Sequence, residues 1–164
     1  MNSSASLLIA EDDDNDVFFL QRALETANVR NPLHIVRDGQ EAIDYLSAAG
    51  DFADRARFPL PYLFLLDLKM PRKTGMDVLE WLREQPELSC LPVVVFSSSA
   101  HRRDIERAYE LGANAFVVKP ASMAKRADLV KAMALFWLEF NVAPVVCSEG
   151  IDAARKLHAE GAEP

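Results

Sequence analysis

Leu63-Phe64-Leu65-Leu66-Asp67-Leu68-Lys69-Met70-Pro71 carries four consecutive apolar residues that run out into a carboxylate. A run of that length reads as a strand buried on both faces, the state of a strand inside a parallel sheet covered by helices. A carboxylate at its exit stands where an open α/β sheet places its ligand crevice. Asp67 is therefore the first candidate for chemistry, although alone it reads equally well as an Asp that caps the following helix.

Upstream, Leu7-Leu8-Ile9-Ala10 is a shorter apolar run that empties into Glu11-Asp12-Asp13-Asp14-Asn15-Asp16. Helical spacing follows, with Val17, Leu20 and Leu24 on one face and Asp14 as the expected N-cap. Leu33 to Val36 predicts a second strand, Asp38-Gly39 a turn, and Ala42, Ile43 and Leu46 a second helix reaching toward Gly50. Asp51 to Pro61 reads as a polar, proline-flanked loop. Downstream of Asp67, a Pro71-Arg72-Lys73-Thr74-Gly75 loop leads into a helix carrying Val78, Leu79 and Leu82, which Gln85-Pro86 stops. Leu91 to Phe96 predicts a fourth strand ending in Ser97-Ser98-Ser99, and a charged helix then runs to Leu111-Gly112. Ala115 to Val118 predicts a fifth strand ending at Lys119-Pro120, and a last helix begins near Lys125. Five βα units of this length predict an α/β fold, a five-stranded parallel sheet with helices on both faces.

Composition narrows the functions open to such a fold. The chain has 164 residues, half of them hydrophobic, and a formal net charge of −7. That size suits one domain, and the acidic excess with no cluster of Lys and Arg argues against a nucleic-acid surface. Cys90 and Cys147 lack CxxC spacing and His34, His101 and His158 are scattered, so neither a zinc site nor a disulfide framework is expected. Residues 1–6 carry no basic group and the apolar run behind them is short, which predicts no signal peptide, no membrane span and a cytoplasmic protein.

The polar landmarks share one placement. Glu11 and Asp12 follow the first strand, Asp67 the third, Ser97 the fourth and Lys119 the fifth. In a parallel sheet those ends lie on one edge, so three carboxylates, a hydroxyl and an ammonium should converge there. Packed carboxylates repel unless a divalent cation neutralises them, and oxygen ligands with room for water suit Mg2+. A carboxylate that also faces a lysine and a hydroxyl is equipped to accept a phosphoryl group, with metal and ammonium balancing the phosphoryl oxygens. Asp67 is the nucleophile this arrangement selects.

With these residues in place, the stretch from Leu7 to Phe140 resembles the receiver domain of two-component response regulators, a flavodoxin-like (βα)5 fold. The spacing carries the likeness: 30 residues from Asp67 to Ser97, and 22 from Ser97 to Lys119-Pro120. The resemblance implies Asp67 as phosphoacceptor, Asp12 as a direct Mg2+ ligand, Glu11 as a ligand through water, and the backbone carbonyl of Lys69 as a third protein ligand. It implies Ser97 and Phe116 as the switch pair and Lys119 as the phosphate-binding lysine, with a cis bond to Pro120. Ser97 stands where Thr is more frequent and Phe116 where Tyr is frequent. Lys69 and Ser99 occupy positions that tune dephosphorylation, and Asp13 is read as a solvated side chain rather than a ligand.

Phe136-Trp137-Leu138-Glu139-Phe140 followed by Val142-Ala143-Pro144, with the long 51–61 loop, is similar to the small response regulators that serve phytochrome histidine kinases. That likeness implies a stand-alone switch, not an enzyme beyond its own aspartyl phosphorylation and dephosphorylation, partnered by a sensor histidine kinase of the bacterial phytochrome type. Five large apolar residues within six positions, at about 100° per residue, surround most of a helix. They predict a homodimer through Phe136, Trp137 and Phe140. Residues 1–144 are expected to form the receiver with an extended last helix, and 145–164 a weakly ordered tail too short for an output domain. Two other readings compete. A haloacid-dehalogenase-like phosphatase wants a second Asp where Lys69 stands, and a scaffold that no longer uses phosphorylation would have no need of Glu11, Asp12, Asp67 and Lys119 together.

Overall fold

Five short apolar strands form one sheet in the computed structural model, which describes residues 5–142. They are β1 (Leu7–Ala10), β2 (Leu33–Val36), β3 (Leu63–Leu66), β4 (Val93–Ser97) and β5 (Ala115–Val118), all parallel in the order β2-β1-β3-β4-β5. Between and after them run α1 (Asp14–Thr26), α2 (Gly39–Ser47), α3 (Gly75–Arg83), α4 (Arg102–Glu110) and α5 (Met123–Ala134). Successive strand side chains point to opposite faces, so the same strands feed two cores. Leu8, Ala10, Phe64, Leu66, Val93 and Val95 pack with α2 and α3, while Leu7, Ile9, Leu63, Leu65, Val94 and Phe96 pack with α1 and α5. The central strands β1 and β3 are buried throughout, which is why they read as unbroken apolar runs.

Local chemistry sets the helix starts. Asp13, not Asp14, caps α1: its backbone is extended and its carboxylate accepts from the backbone N–H groups of Asn15 and Asp16. Asp38 caps α2 through the Glu41 N–H. Thr74 and Asp77 form a reciprocal capping box on α3.

The end of α5 differs from a plain helix. Leu135–Phe140 forms a π-helical segment, closed by the Asn141 N–H donating to the Phe136 carbonyl at 2.7 Å. The wider turn brings Trp137 and Leu138 against the α1/α5 core and leaves Phe136 and Phe140 outside. Tyr62, at the mouth of β3, donates its hydroxyl to the Asn141 carbonyl and holds this end to the sheet.

At the amino edge of the sheet the loop leading to β3 is more than a polar connection. His34, Tyr45, Phe52 and Phe58 form a ring cluster with centroids 5.2–6.0 Å apart. The Tyr45 hydroxyl donates to the Pro59 carbonyl, and Arg55 donates to the carbonyls of Tyr45, Leu46 and Phe58. Arg55 thereby satisfies carbonyls that the end of α2 leaves open.

Two further expectations are corrected. Among the described residues no peptide bond is cis, so the Lys119–Pro120 bond is trans, the form an X–Pro bond prefers by default. Cys90 is not a free thiol. Residues 143–164, including Ala143, Pro144 and the expected tail, lie outside the described residues.

Candidate functional site

Strand pairing decides what meets at the carboxyl edge. Ala10 pairs with Leu66 and Leu66 with Val95, so the residues that leave these strands emerge together. The Asp67 N–H donates to the Ala10 carbonyl and the Lys119 N–H to the Ser97 carbonyl, which carries the sheet one step past its regular strands. Glu11, Asp12 and Asp67 each offer a carboxylate oxygen within 4.8 Å of the others. Glu11 and Asp67 are buried, whereas Asp12 is exposed.

The charges at this edge are mutually dependent. Burial acts against the ionised form of Lys119, but hydrogen bonds to Asp16 and Glu11 outweigh it and hold the ammonium's pKa above its usual value. Its Nζ donates to Glu11 Oε2 at 2.5 Å and to Asp16 Oδ2 at 2.8 Å, and lies 3.6 Å from Asp67 Oδ2. Burial pushes the Glu11 carboxyl up to about 7, with the hydrogen bond and charge of Lys119 acting in the opposite direction. Asp67 Oδ1 is buried and accepts no hydrogen bond. An all-oxygen donor set with one orphaned buried oxygen and one ligand open to water fits a hard divalent cation.

The loop after Asp67 is pinned from two sides. A Cβ on Gly75 would collide with the Asp67 carbonyl and the Leu68 Cα, and a Cβ on Gly39 would collide with the Lys73 carbonyl. Absence of both lets the Gly75 N–H reach the Leu68 carbonyl at 3.0 Å and the Gly39 N–H the Lys73 carbonyl at 3.1 Å. Arg72, at φ 60°, donates through Nε to Asp38 Oδ2 at 2.7 Å. Burial would raise the Asp38 carboxyl, but hydrogen bonds from Arg72 and from backbone N–H groups hold it below the usual carboxylate range. Lys69 lies within this pinned segment with its side chain exposed.

The other predicted residues have their own partners. Ser97 is fully buried, with its hydroxyl accepting from the Ser99 N–H at 3.3 Å, and Ser99 in turn donates to Asp104 at 2.5 Å. Phe116 is half-buried against the α2/α3 core, and its N–H donates to the Tyr109 hydroxyl. Asp13 is exposed and serves as the α1 cap. Phe136, Trp137 and Phe140 lie on the π-helical segment, away from the acidic edge. Sequence reasoning did not single out Asp16, Arg126, Asp38 and Arg72, although Asp16 belongs to the same run of acids as Asp12.

The pattern of the response regulator receiver domain matches residues 7–133 of the chain. The response regulator Rcp1 of Synechocystis sp. is 33% identical over 143 residues, which span 87% of this chain and 95% of that relative. The crystal structure of the phosphorylated cyanobacterial phytochrome response regulator RcpA superposes with a TM-score of 0.80 at 35% identity, covering 86% of this chain and 99% of that one. The Mn2+-bound form of Rcp1 superposes with a TM-score of 0.78 at 33% identity, covering 85% and 99%.

Proposed function

Because this chain belongs to the response regulator receiver family, we propose that Asp67 is its phosphoacceptor, loaded by a sensor histidine kinase with Mg2+ bound at the acidic edge. The observation that carries the assignment is the Asp67 carboxylate itself: buried at the exit of a central strand, one oxygen unpartnered and the other facing an ammonium. One oxygen of the Asp67 carboxylate forms the new O–P bond as the N–P bond of the donor phosphohistidine breaks, and the imidazole leaves with the electron pair. Asp12, Glu11, Asp67 and the Lys69 carbonyl would hold the metal, which supplies positive charge to the phosphoryl oxygens. Lys119 neutralises a further oxygen, and the Ser97 hydroxyl turns from the Ser99 N–H toward the phosphoryl group, with half-buried Phe116 following.

The relatives named for phytochrome signalling support a kinase of that type as the partner, and a cytoplasmic place beside it. No helix among the described residues is long and apolar enough to cross a membrane. The net charge of −7 favours a protein partner over nucleic acid. Phe136 is 53% exposed and Phe140 68%, with Leu135 and Val142 beside them, and an apolar patch of that kind suits a two-fold contact with a second copy. Trp137 enters that contact only by its outer edge, since its inner side packs on its own core.

Intact-mass measurement after incubation with acetyl phosphate and Mg2+ tests the phosphoacceptor. The wild type should gain one phosphoryl group and Asp67→Asn none; an equal gain in the variant overturns the assignment. Light scattering at micromolar concentration tests the dimer, with a monomeric wild type as the refuting result.

A further inference from the structure

The Lys119 ammonium has three donor positions, and the structure commits two of them to other carboxylates, with Asp67 Oδ2 at 3.6 Å, an ion pair without a hydrogen bond. One goes to Glu11, which belongs to the acidic edge already described. The other goes to Asp16 Oδ2 at 2.8 Å, on the first turn of α1. Asp16 Oδ1 accepts from Arg126 Nη1 at 2.5 Å, and Arg126 Nε donates to the Pro120 carbonyl, next to Lys119 in the chain. Burial acts to raise the Asp16 carboxyl, yet the hydrogen bonds from Lys119 and Arg126 hold it below the usual carboxylate range. Asp16 therefore stands between two cations, one just after β5 and one from the first turn of α5.

We propose that Asp16 is a positioning residue that holds Lys119 short of hydrogen-bonding distance to Asp67 while the site is unphosphorylated, and that Arg126 sets the strength of the tether by sharing the same carboxylate. The inference rests on Asp67 being the phosphoacceptor. When Lys119 turns to a phosphoryl group, Asp16 keeps Arg126 and is not left as an unpaired, partly buried charge, which would be costly. Without Arg126 the carboxylate has Lys119 as its one remaining cation and holds it harder. Removing Asp16 and removing Arg126 thus act in opposite directions, and the charge of Arg126 acts on Lys119 through Asp16.

Calorimetric titration of the full chain with beryllofluoride, in the presence of Mg2+, tests this on the wild type, Asp16→Asn, Arg126→Gln and the double variant. Asp16→Asn should bind about three- to fivefold tighter and Arg126→Gln weaker by a similar factor, the size a partly exposed ion pair supports. In the double variant the Arg126 effect should vanish. Additive effects would mean that both groups act merely as distant charges, and they overturn the tether, as does an Asp16→Asn variant that binds no tighter than wild type. A wild type that binds no beryllofluoride overturns the phosphoacceptor reading itself, and the tether with it.

Discussion

The two ends of the sheet are built from opposite materials. At the carboxyl edge Glu11, Asp67 and Lys119 are buried as charges, each dependent on the others and one oxygen left without a partner. At the amino edge His34, Tyr45, Phe52 and Phe58 pack rings together, Arg55 donates to backbone carbonyls beside them, and the Arg57 guanidinium lies over the Phe58 ring. Burying charge is a poor source of stability, because desolvation offsets most of the attraction. Burying rings is a good one, at about 1.5–3 kcal/mol for a large side chain. The difference shows a division of labour: the aromatic end contributes the free energy that lets the acidic end stay electrostatically strained and responsive to a ligand.

The division breaks if a ring at the amino edge proves as important to the ligand as an acid. Tyr45 is fully buried, and Tyr45→Ala should cost about 3–5 kcal/mol in urea unfolding while Mg2+ affinity of the folded protein stays within twofold. A smaller but sharper contrast lies inside the acidic loop. Asp12→Asn should weaken Mg2+ binding at least about tenfold, or about 1.4 kcal/mol, with little change in unfolding. Asp13→Ala should do the reverse, losing about 1 kcal/mol of stability with its cap and leaving calorimetric Mg2+ binding unchanged. Equal metal losses in both would show that the ligands are misassigned.

The smallest effect concerns His34. Burial holds its imidazole below the ordinary histidine range, and Nε2 has no partner. The unfolded chain takes up a proton near pH about 6.5 while the folded chain resists it. His34 therefore costs no stability above that pH, and an increasing amount as pH falls from there through its depressed folded value. Unfolding curves of wild type and His34→Gln should run parallel above pH 7 and converge or cross below 6. A constant offset through that range would remove His34 from the aromatic end's energetics.

How much of this was legible varies by residue. Asp67, Ser97 and Lys119 could be placed because each ends a strand, and strand ends follow from apolar runs that need no tertiary information. The 51–61 segment was misjudged as a plain polar loop because Phe52, Arg55 and Phe58 show no period; their partners, His34 and Tyr45, come from other elements. The Asp13 cap was displaced by one residue among four consecutive acids, where composition offers no distinction and only the extended backbone of Asp13 selects it. The trans Lys119–Pro120 bond departs from the family expectation, which residue identity alone could not correct.

By itself the sequence determined the alternation of strands and helices, the edge on which the charged residues gather, and the family, because these depend on local periodicity and on spacing along the chain. The tertiary structure decided which carboxylates Lys119 chooses, that Asp16 answers to Arg126 on a helix 110 residues away, and that Trp137 turns inward where Phe136 and Phe140 do not. Several acids of equal chemistry compete for one ammonium, Glu11 at 2.5 Å, Asp16 at 2.8 Å and Asp67 at 3.6 Å. The choice among those acids comes from the packing of α1 against α5, and the inward turn of Trp137 from the widened last turn of the final helix; no local pattern encodes either.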